Sequence, residues 1–515
     1  MSYSYGMFRY MTGVYPLFAG NMAFGDSPDI FSMPQRTKAQ RGVKRGVRTS
    51  KKSAVKKEKP RQGRVFQSSK IVPKKSQPQV KHEVERVRKM TKKGPLQSVR
   101  GMRDILPHDF RYWRWFKDTA RTISEQYGYQ EIELPIVEDV SLFKRSIGDV
   151  TDVVQKEMYE FTDAGGDHLA LRPEATAGIV RAYIEHGMLN LPQPLKLFTM
   201  GPMFRYDRPQ SGRYRQFYQF DIEVIGSDAA VIDAEVIVVA YTLLKELGIE
   251  STIHVNSLGS SESRVQYKKV LQAYLKSRKN NLCDDCQERF SKNVLRVLDC
   301  KNEQCQQAII DAPELVDYLD DDSQKHFVSV LEHLDAVDLP YVLNPHIVRG
   351  LDYYNKTAFE FFATDQETGR QSAFGGGGRY DSLMEQLGGR PTPACGLALG
   401  IDRVIAAMRD KKSEPPTKEA PAVYLAQIGD QARKRALQLF ERLRKAGIPI
   451  AGNLAKDGLR QQLELADKKG ARFAVILGQK EMIDGTVLIR DMESGMQETV
   501  DFKKIEKELE KRLKK

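Results

Sequence analysis

The sequence predicts an α+β protein: an antiparallel-sheet core, a helical insertion within it, and a smaller α/β module near the C-terminus. Three observations carry that prediction. Residues 195–225 hold two runs of alternating side chains joined by the turn formers DRPQSG, the pattern of a long antiparallel hairpin. Residues 231–335 have mostly helical spacing and contain four of the five cysteines. Beyond the Pro- and Lys-rich stretch 411–421, strand-like and helix-like segments alternate.

Length and charge set the outer limits. A chain of 515 residues suggests three or four domains. The net charge of +13 is unevenly placed: residues 1–94 hold 23 Lys/Arg against 5 Asp/Glu, leaving 58 against 63 for the remainder. The globular part is mildly acidic, so its charge does not argue for a nucleic-acid partner. Residues 1–94 read as a disordered basic extension, because 34–93 are rich in Lys, Arg, Gln and Ser without a sustained apolar period. The longest apolar run, VIVVAYTLL at 236–244, is too short to span a membrane. Gly and Pro16 interrupt the aromatic opening before it can serve as a signal core. Five cysteines in so long a chain suit a reducing compartment, and a cytoplasmic location is expected.

The elements follow in order. In DFRYWRWFKDTARTISEQYGY, Trp113, Phe116, Ala120 and Ile123 form one helical stripe that Gly128 ends. EIELPIVED is extended and broken at Pro135; SLFKRSIG is a short helix. HLALRP reads as a strand delivering Glu174, and 172–188 as the next helix. In the second hairpin strand Tyr218, Phe220, Ile222 and Val224 share one face. Phe217, Gln219, Asp221 and Glu223 share the other, as expected when one face packs and the other lines a polar site. Strand texture returns at VRGLDYY and GGGGRYD, with Gly350 expected to turn the backbone. In CGLALGIDRVIAAMR a helix buries Ile401, Val404, Ile405 and Met408, leaving Arg403 beside the stripe. From 422 onward the pattern is β, α, β, α, β, two short strands and a charged helix.

Four arginines, Arg205, Arg349, Arg379 and Arg403, stand near strand ends or loop edges in aromatic or glycine-rich company. Without obvious carboxylate neighbours they suggest a bound polyanion, since guanidinium forks match phosphate oxygens. No Walker loop is available, because Gly-Lys does not occur in the chain, and there is no HExxH motif.

These segments carry a family resemblance. TMGPMFRYDRPQSGRYRQFYQFDIEVIG resembles motif 2 of class II aminoacyl-tRNA synthetases in its histidyl form, IELPIVED motif 1 and CGLALGIDRV motif 3. LRPEAT, VRGLDYYN and GGGGRYDSLMEQLGG resemble segments peculiar to histidyl-tRNA synthetases of bacterial type. The likeness covers about 95–515. It implies an antiparallel-sheet class II synthetase catalytic core (95–230 and 336–410), a helical insertion (231–335), a linker (411–421) and a C-terminal α/β anticodon-binding domain (422–515).

The implied reaction activates L-histidine with ATP to histidyl-adenylate, with Mg2+, and transfers histidine to the 3′ end of tRNA-His; the implied assembly is a homodimer. By similarity Arg205 would hold the α-phosphate, Phe217 would stack on adenine and Arg403 would contact the γ-phosphate. Arg349 would stand between substrate carboxylate and α-phosphate, where other class II enzymes often place magnesium. Glu174, Thr176 and Gln219 match the amino-group site, and Ala175 matches a histidine-binding position. Glu223, Tyr353 and Tyr354 match the imidazole site, where a carboxylate and a phenol can satisfy both ring nitrogens. Gln210 and Arg215 match positions that read the tRNA acceptor end. A regulatory paralogue without activity is the weighed rival; such proteins typically lose the anticodon domain or motif residues that this chain retains.

Two features stand outside that scheme. Cys283, Cys286, Cys300 and Cys305 form a C-x2-C-x13-C-x4-C array that fits either structural zinc or reduced, packed thiols, and packed thiols without metal are the expectation. Cys395, among small residues, is expected to be buried. The basic extension reads either as a tRNA-binding arm acting through counterion release or as an over-long start preceding Met90.

Overall fold

Helix α1 (Phe110–Gln126) buries its stripe of Trp113, Phe116, Ala120 and Ile123. It ends where Gly128 takes φ +81°, a conformation that costs glycine no Cβ clash. Pro135 divides the extended segment into β1 (Gln130–Glu131) and β2 (Val137–Asp139). Asp139 then caps α2 (Val140–Ile147) by accepting the Ser141 N–H at 2.7 Å. Strands β3 (Tyr159–Thr162) and β4 (His168–Leu171) join β2 in a small antiparallel sheet ordered β2-β4-β3. Helix α3 (Thr176–Glu185) starts later than expected. Pro173 disfavours helix at Arg172, and Glu174 turns its carboxylate onto the first N–H groups.

Strands β5 (Leu195–Phe204) and β6 (Gln216–Ile225) form the expected hairpin, with ten paired residues from Leu195↔Ile225 to Phe204↔Gln216. They belong to an eight-stranded sheet ordered β1-β5-β6-β11-β10-β9-β7-β8, antiparallel except at its two outer pairs. After α4 (Ala230–Glu246) the remaining strands are β7 (Ser251–Ser257), β8 (Val342–Leu343), β9 (Asn355–Ala363), β10 (Ser372–Arg379) and β11 (Ala394–Gly400). Phe220, Ile222 and Val224 pack with α1, α4 and the helix after β11 in the main core, as their alternation requires.

Between β7 and β8 lie α5 (Ser261–Lys276), α6 (Asp284–Lys292), α7 (Glu303–Ile309) and α8 (Asp321–Asp335). The stretch 231–335 is therefore not helical throughout: β7 pairs with β9 over seven residues inside the main sheet. Helix α4, apolar nearly all round, is buried in the sheet's core, as such a helix must be. The segment VRGLDYY also departs from the expected strand: 348–354 is irregular and β9 begins at Asn355. Gly350 has no positive φ; its lack of a side chain accommodates Arg296, whose Nη1 would lie 3.2 Å from an added Cβ.

Helix α9 (Leu383–Gln386) precedes β11, and α10 (Ile401–Asp410) follows it with Ile401, Val404, Ile405 and Met408 buried as predicted. The C-terminal module contains β12 (Val423–Gln427), α11 (Asp430–Lys445), β13 (Ile450–Gly452), α12 (Leu459–Lys468) and β14 (Phe473–Leu477). It continues with α13 (Gln479–Asp484), β15 (Thr486–Asp491), β16 (Gln497–Asp501) and α14 (Ile505–Leu513). Its sheet is mixed, ordered β13-β12-β14-β15-β16, parallel across the first three strands and antiparallel beyond.

This computed structural model describes residues 95–148, 151, 153–207, 213–363, 372–416 and 420–514. The basic extension 1–94 and Gln210 lie outside the described residues.

Candidate active site

A cavity of about 420 Å³ opens on the polar face of β6. The hairpin supplies Phe217 and Gln219 from β6, and Arg205 from just beyond β5. The turn into α3 supplies Glu174 and Thr176; the irregular 348–354 segment supplies Arg349, Tyr353 and Tyr354; the first turn of α10 supplies Arg403. Residues far apart in sequence converge because β6, β9, β10 and β11 share one sheet.

The three guanidiniums are held individually. Arg205 donates from Nε to the Pro173 carbonyl at 2.9 Å, with its guanidinium carbon 5.4 Å from the Phe217 ring centre. Arg349 donates from Nη1 to Glu360 Oε1 at 2.8 Å and lies 5.0 Å from the Tyr354 ring centre. Burial opposes the charge of Arg349, but Tyr354 and Glu360 hold its pKa above the ordinary arginine value. Arg403 donates from Nη1 to the Ala373 carbonyl at 2.5 Å. Burial lowers its pKa, and the like charges of Arg213 and Arg205 lower it further. Cations that repel one another across a cavity favour a multiply charged anion between them.

Arg379 is different. It is completely buried, bonded to Asp233 and, from Nη1, to Asp381 Oδ1 at 3.1 Å. It is thus an internal ion pair and no phosphate ligand; its carboxylate partner Asp233 comes from α4, which local sequence could not reveal.

The lining is also rich in hydrogen-bonding groups. Glu174 accepts the Thr176 and Ala177 N–H groups, each at 2.9 Å. Burial raises its pKa against the pull of the Ala177 N–H and Arg205. Ala175 is buried and contributes backbone at the start of α3, without lining the cavity. Gln219 Oε1 is buried with no hydrogen-bond partner among the described residues. Tyr353 and Tyr354 lie 4.6 Å apart, ring centre to ring centre.

Glu223 stands behind this lining: Thr176 Oγ1 donates to its Oε1 at 2.6 Å and the Tyr380 phenol to its Oε2. Burial pushes the Glu223 carboxyl up to about 8. Gly396 on β11 leaves it room, since an added Cβ would fall on the carboxylate. The glycine run of β10 lies tightly against the neighbouring strands: a Cβ on Gly376 would collide with the Phe359 carbonyl oxygen and lie 2.8 Å from Arg349 Nη1.

Arg215 does not line the cavity; its guanidinium lies over the Tyr206 ring, 3.7 Å from the centre. Tyr380, Arg296 and Asp299 were not singled out by the sequence reading. Tyr380 carries a signal in the RYD that ends the glycine run, whereas Arg296 and Asp299 reach the cavity from between α6 and α7 and have none.

Residues 101–404, more than half the chain, match the family model for histidyl-tRNA synthetase, and 422–512 match the anticodon binding domain. The chain belongs to the histidyl-tRNA synthetase family. The synthetase is 44% identical over 420 residues to the histidine–tRNA ligase of Desulfitobacterium hafniense, covering 81% of this chain and 99% of that protein. The histidine–tRNA ligase of Dehalococcoides mccartyi is 46% identical over 418 residues, covering 81% and 100%. The apo histidyl-tRNA synthetase of S. aureus superposes with a TM-score of 0.67 at 33% identity, over 81% of this chain and all of that one. Every cavity residue named above lies within the span of the synthetase match.

Proposed function

We propose that this synthetase activates L-histidine with ATP and transfers it to tRNA-His, using the cavity on β6 for both substrates. One observation carries the reading: Arg205, Arg349 and Arg403 line the same cavity as Glu174, Gln219, Tyr353 and Tyr354. In the first step a histidine carboxylate oxygen attacks the α-phosphorus of ATP and pyrophosphate leaves. In the second, the terminal ribose hydroxyl of tRNA attacks the acyl carbon and AMP leaves. Neither step calls for a covalent enzyme intermediate, so fixed cations and orientation supply the catalysis.

Arg349, held by Glu360, is assigned to the carboxylate and α-phosphate, Arg205 to the α-phosphate, Phe217 to adenine and Arg403 to the γ-phosphate. The histidine amino group is assigned to Glu174, Thr176 and Gln219 around the Ala175 backbone; the unpartnered Gln219 oxygen supports this. Tyr353, Tyr354 and, from behind Thr176, Glu223 are assigned to the imidazole side. Mg2+ is proposed to arrive with the nucleotide. The carboxylates at the cavity already have partners: Glu360 has Arg349, and Asp402 accepts from Arg103 and the Tyr218 N–H, each at 2.7 Å.

The domain reading keeps 95–230 and 336–410 as catalytic core, adds α4 and β7 to it, and gives the module from 422 to tRNA. Gln210 and Arg215 are kept for the acceptor end, and a homodimer in the cytoplasm for the assembly, on family likeness. Among the described residues no helix is long and apolar enough to cross a membrane.

Histidine-dependent ATP–pyrophosphate exchange, followed by charging of tRNA-His, tests the proposal. Exchange driven by another amino acid, or none at all, overturns it.

A further inference from the structure

The four cysteines Cys283, Cys286, Cys300 and Cys305 are brought together by the fold. All four Sγ atoms lie within 4.8 Å of one another. A zinc ion bound tetrahedrally at about 2.3 Å from each sulfur places the sulfurs about 3.8 Å apart. Cys283 Sγ and Cys300 Sγ lie 3.8 Å apart, and all five cysteines of the chain are free thiols. The Cys283 N–H also points at Cys305 Sγ, 3.2 Å away, a donor suited to a metal-bound thiolate.

The placement follows from local structure. Cys283 is the N-cap of α6 and Cys286 lies in its first turn, so the two sulfurs share one end of that helix. Cys300 follows the short 3-10 turn Val294–Val297, and Cys305 lies in α7. Cys286, Cys300 and Cys305 are buried, while Cys283 is half-buried at a cavity through which an ion can arrive.

We propose that these four cysteines bind one structural zinc ion, with release of the thiol protons. An all-sulfur tetrahedral set selects zinc over hard cations such as magnesium. The site braces the wall of the catalytic cavity, because the segment between the two cysteine pairs carries Arg296 and Asp299 into that cavity. Arg296 in turn packs closely against Gly350, the neighbour of Arg349. Reduced, packed thiols without metal were the expectation from the sequence; the mutual proximity of the four sulfurs favours a common ligand.

The test is elemental analysis of the untagged full-length chain after dialysis against EDTA. About one zinc per chain is expected. Cys286→Ser and Cys305→Ser should each lower the zinc content roughly tenfold, while Cys395→Ala, at a distant thiol, should keep it. Should the serine variants fail to fold, cobalt substitution of the wild-type chain gives an independent readout, the charge-transfer bands of a tetrahedral tetrathiolate. Three results overturn the proposal: no stoichiometric metal with all five thiols titratable in denaturant, a disulfide within the set, or iron in place of zinc.

Discussion

Arg349 and Glu360 form a 2.8 Å ion pair in the lining of the cavity, joining the irregular 348–354 segment to strand β9. The pair fixes one guanidinium fork and leaves the rest of the group facing the cavity. A positioned cation of this kind accounts for about 10²–10³ in rate, so Arg349→His should lower pyrophosphate exchange by that amount while the chain still folds. Glu360→Gln removes the orienting charge and keeps the cation. A loss of roughly tenfold in kcat is expected, smaller in the Arg349→His background, because both changes act through one group.

Arg379 gives the opposite outcome. With Asp233 and the arginine both completely buried, Arg379→Met removes the permanent charge paired with the carboxylate and leaves it His326, 2.8 Å away. Unfolding free energy should fall by about 3–5 kcal/mol, measured by denaturant titration. Wild-type stability in this variant would contradict a structural role for the pair.

Glu223 makes stability depend on pH. Its carboxyl titrates near 8 in the fold and near 4.5 in an unconstrained chain. Between those values the folded protein keeps a proton that the unfolded chain has lost, so its contribution to stability declines as pH rises from about 4.5 to about 8. Glu223→Gln cannot ionise and lacks this decline. Melting of both proteins without substrates from pH 5 to pH 9 should show the variant gaining relative to wild type. Parallel curves would contradict the raised titration.

Gly396→Ala tests the space kept for that carboxylate. The added methyl group meets the Glu223 carboxylate and, 2.6 Å away, the Ile222 carbonyl oxygen, so it must displace Glu223 from Thr176 and Tyr380 and shift the adjoining backbone. The KM for histidine should rise about tenfold or more, with the KM for ATP little changed. An equal rise in both constants would indicate a general distortion of the sheet.

Much of this arrangement was legible in the chain. The period-two alternation of 217–224 assigned Phe217 and Gln219 to the polar face, and both line the cavity. The stripes of α1 and α10 were readable because helix and strand periods are local properties of side-chain spacing. Arg349, Tyr353 and Tyr354 were readable as a segment of unusual chemistry, although 348–354 is irregular.

Contacts between distant segments were not legible. Nothing near Arg379 in sequence announces Asp233, and nothing near Glu223 announces Tyr380; strand order and helix packing bring each pair together. Strand β7 was hidden because its seven residues follow an apolar helix, and only pairing with β9 makes them part of the sheet. The sequence by itself determined the element periods, the family and the residue types proposed to meet phosphate and imidazole. Tertiary structure alone decided which arginine is a strut and which lines the cavity, and that four cysteine sulfurs lie together. Those outcomes depend on distances between atoms remote along the chain, which local spacing does not encode.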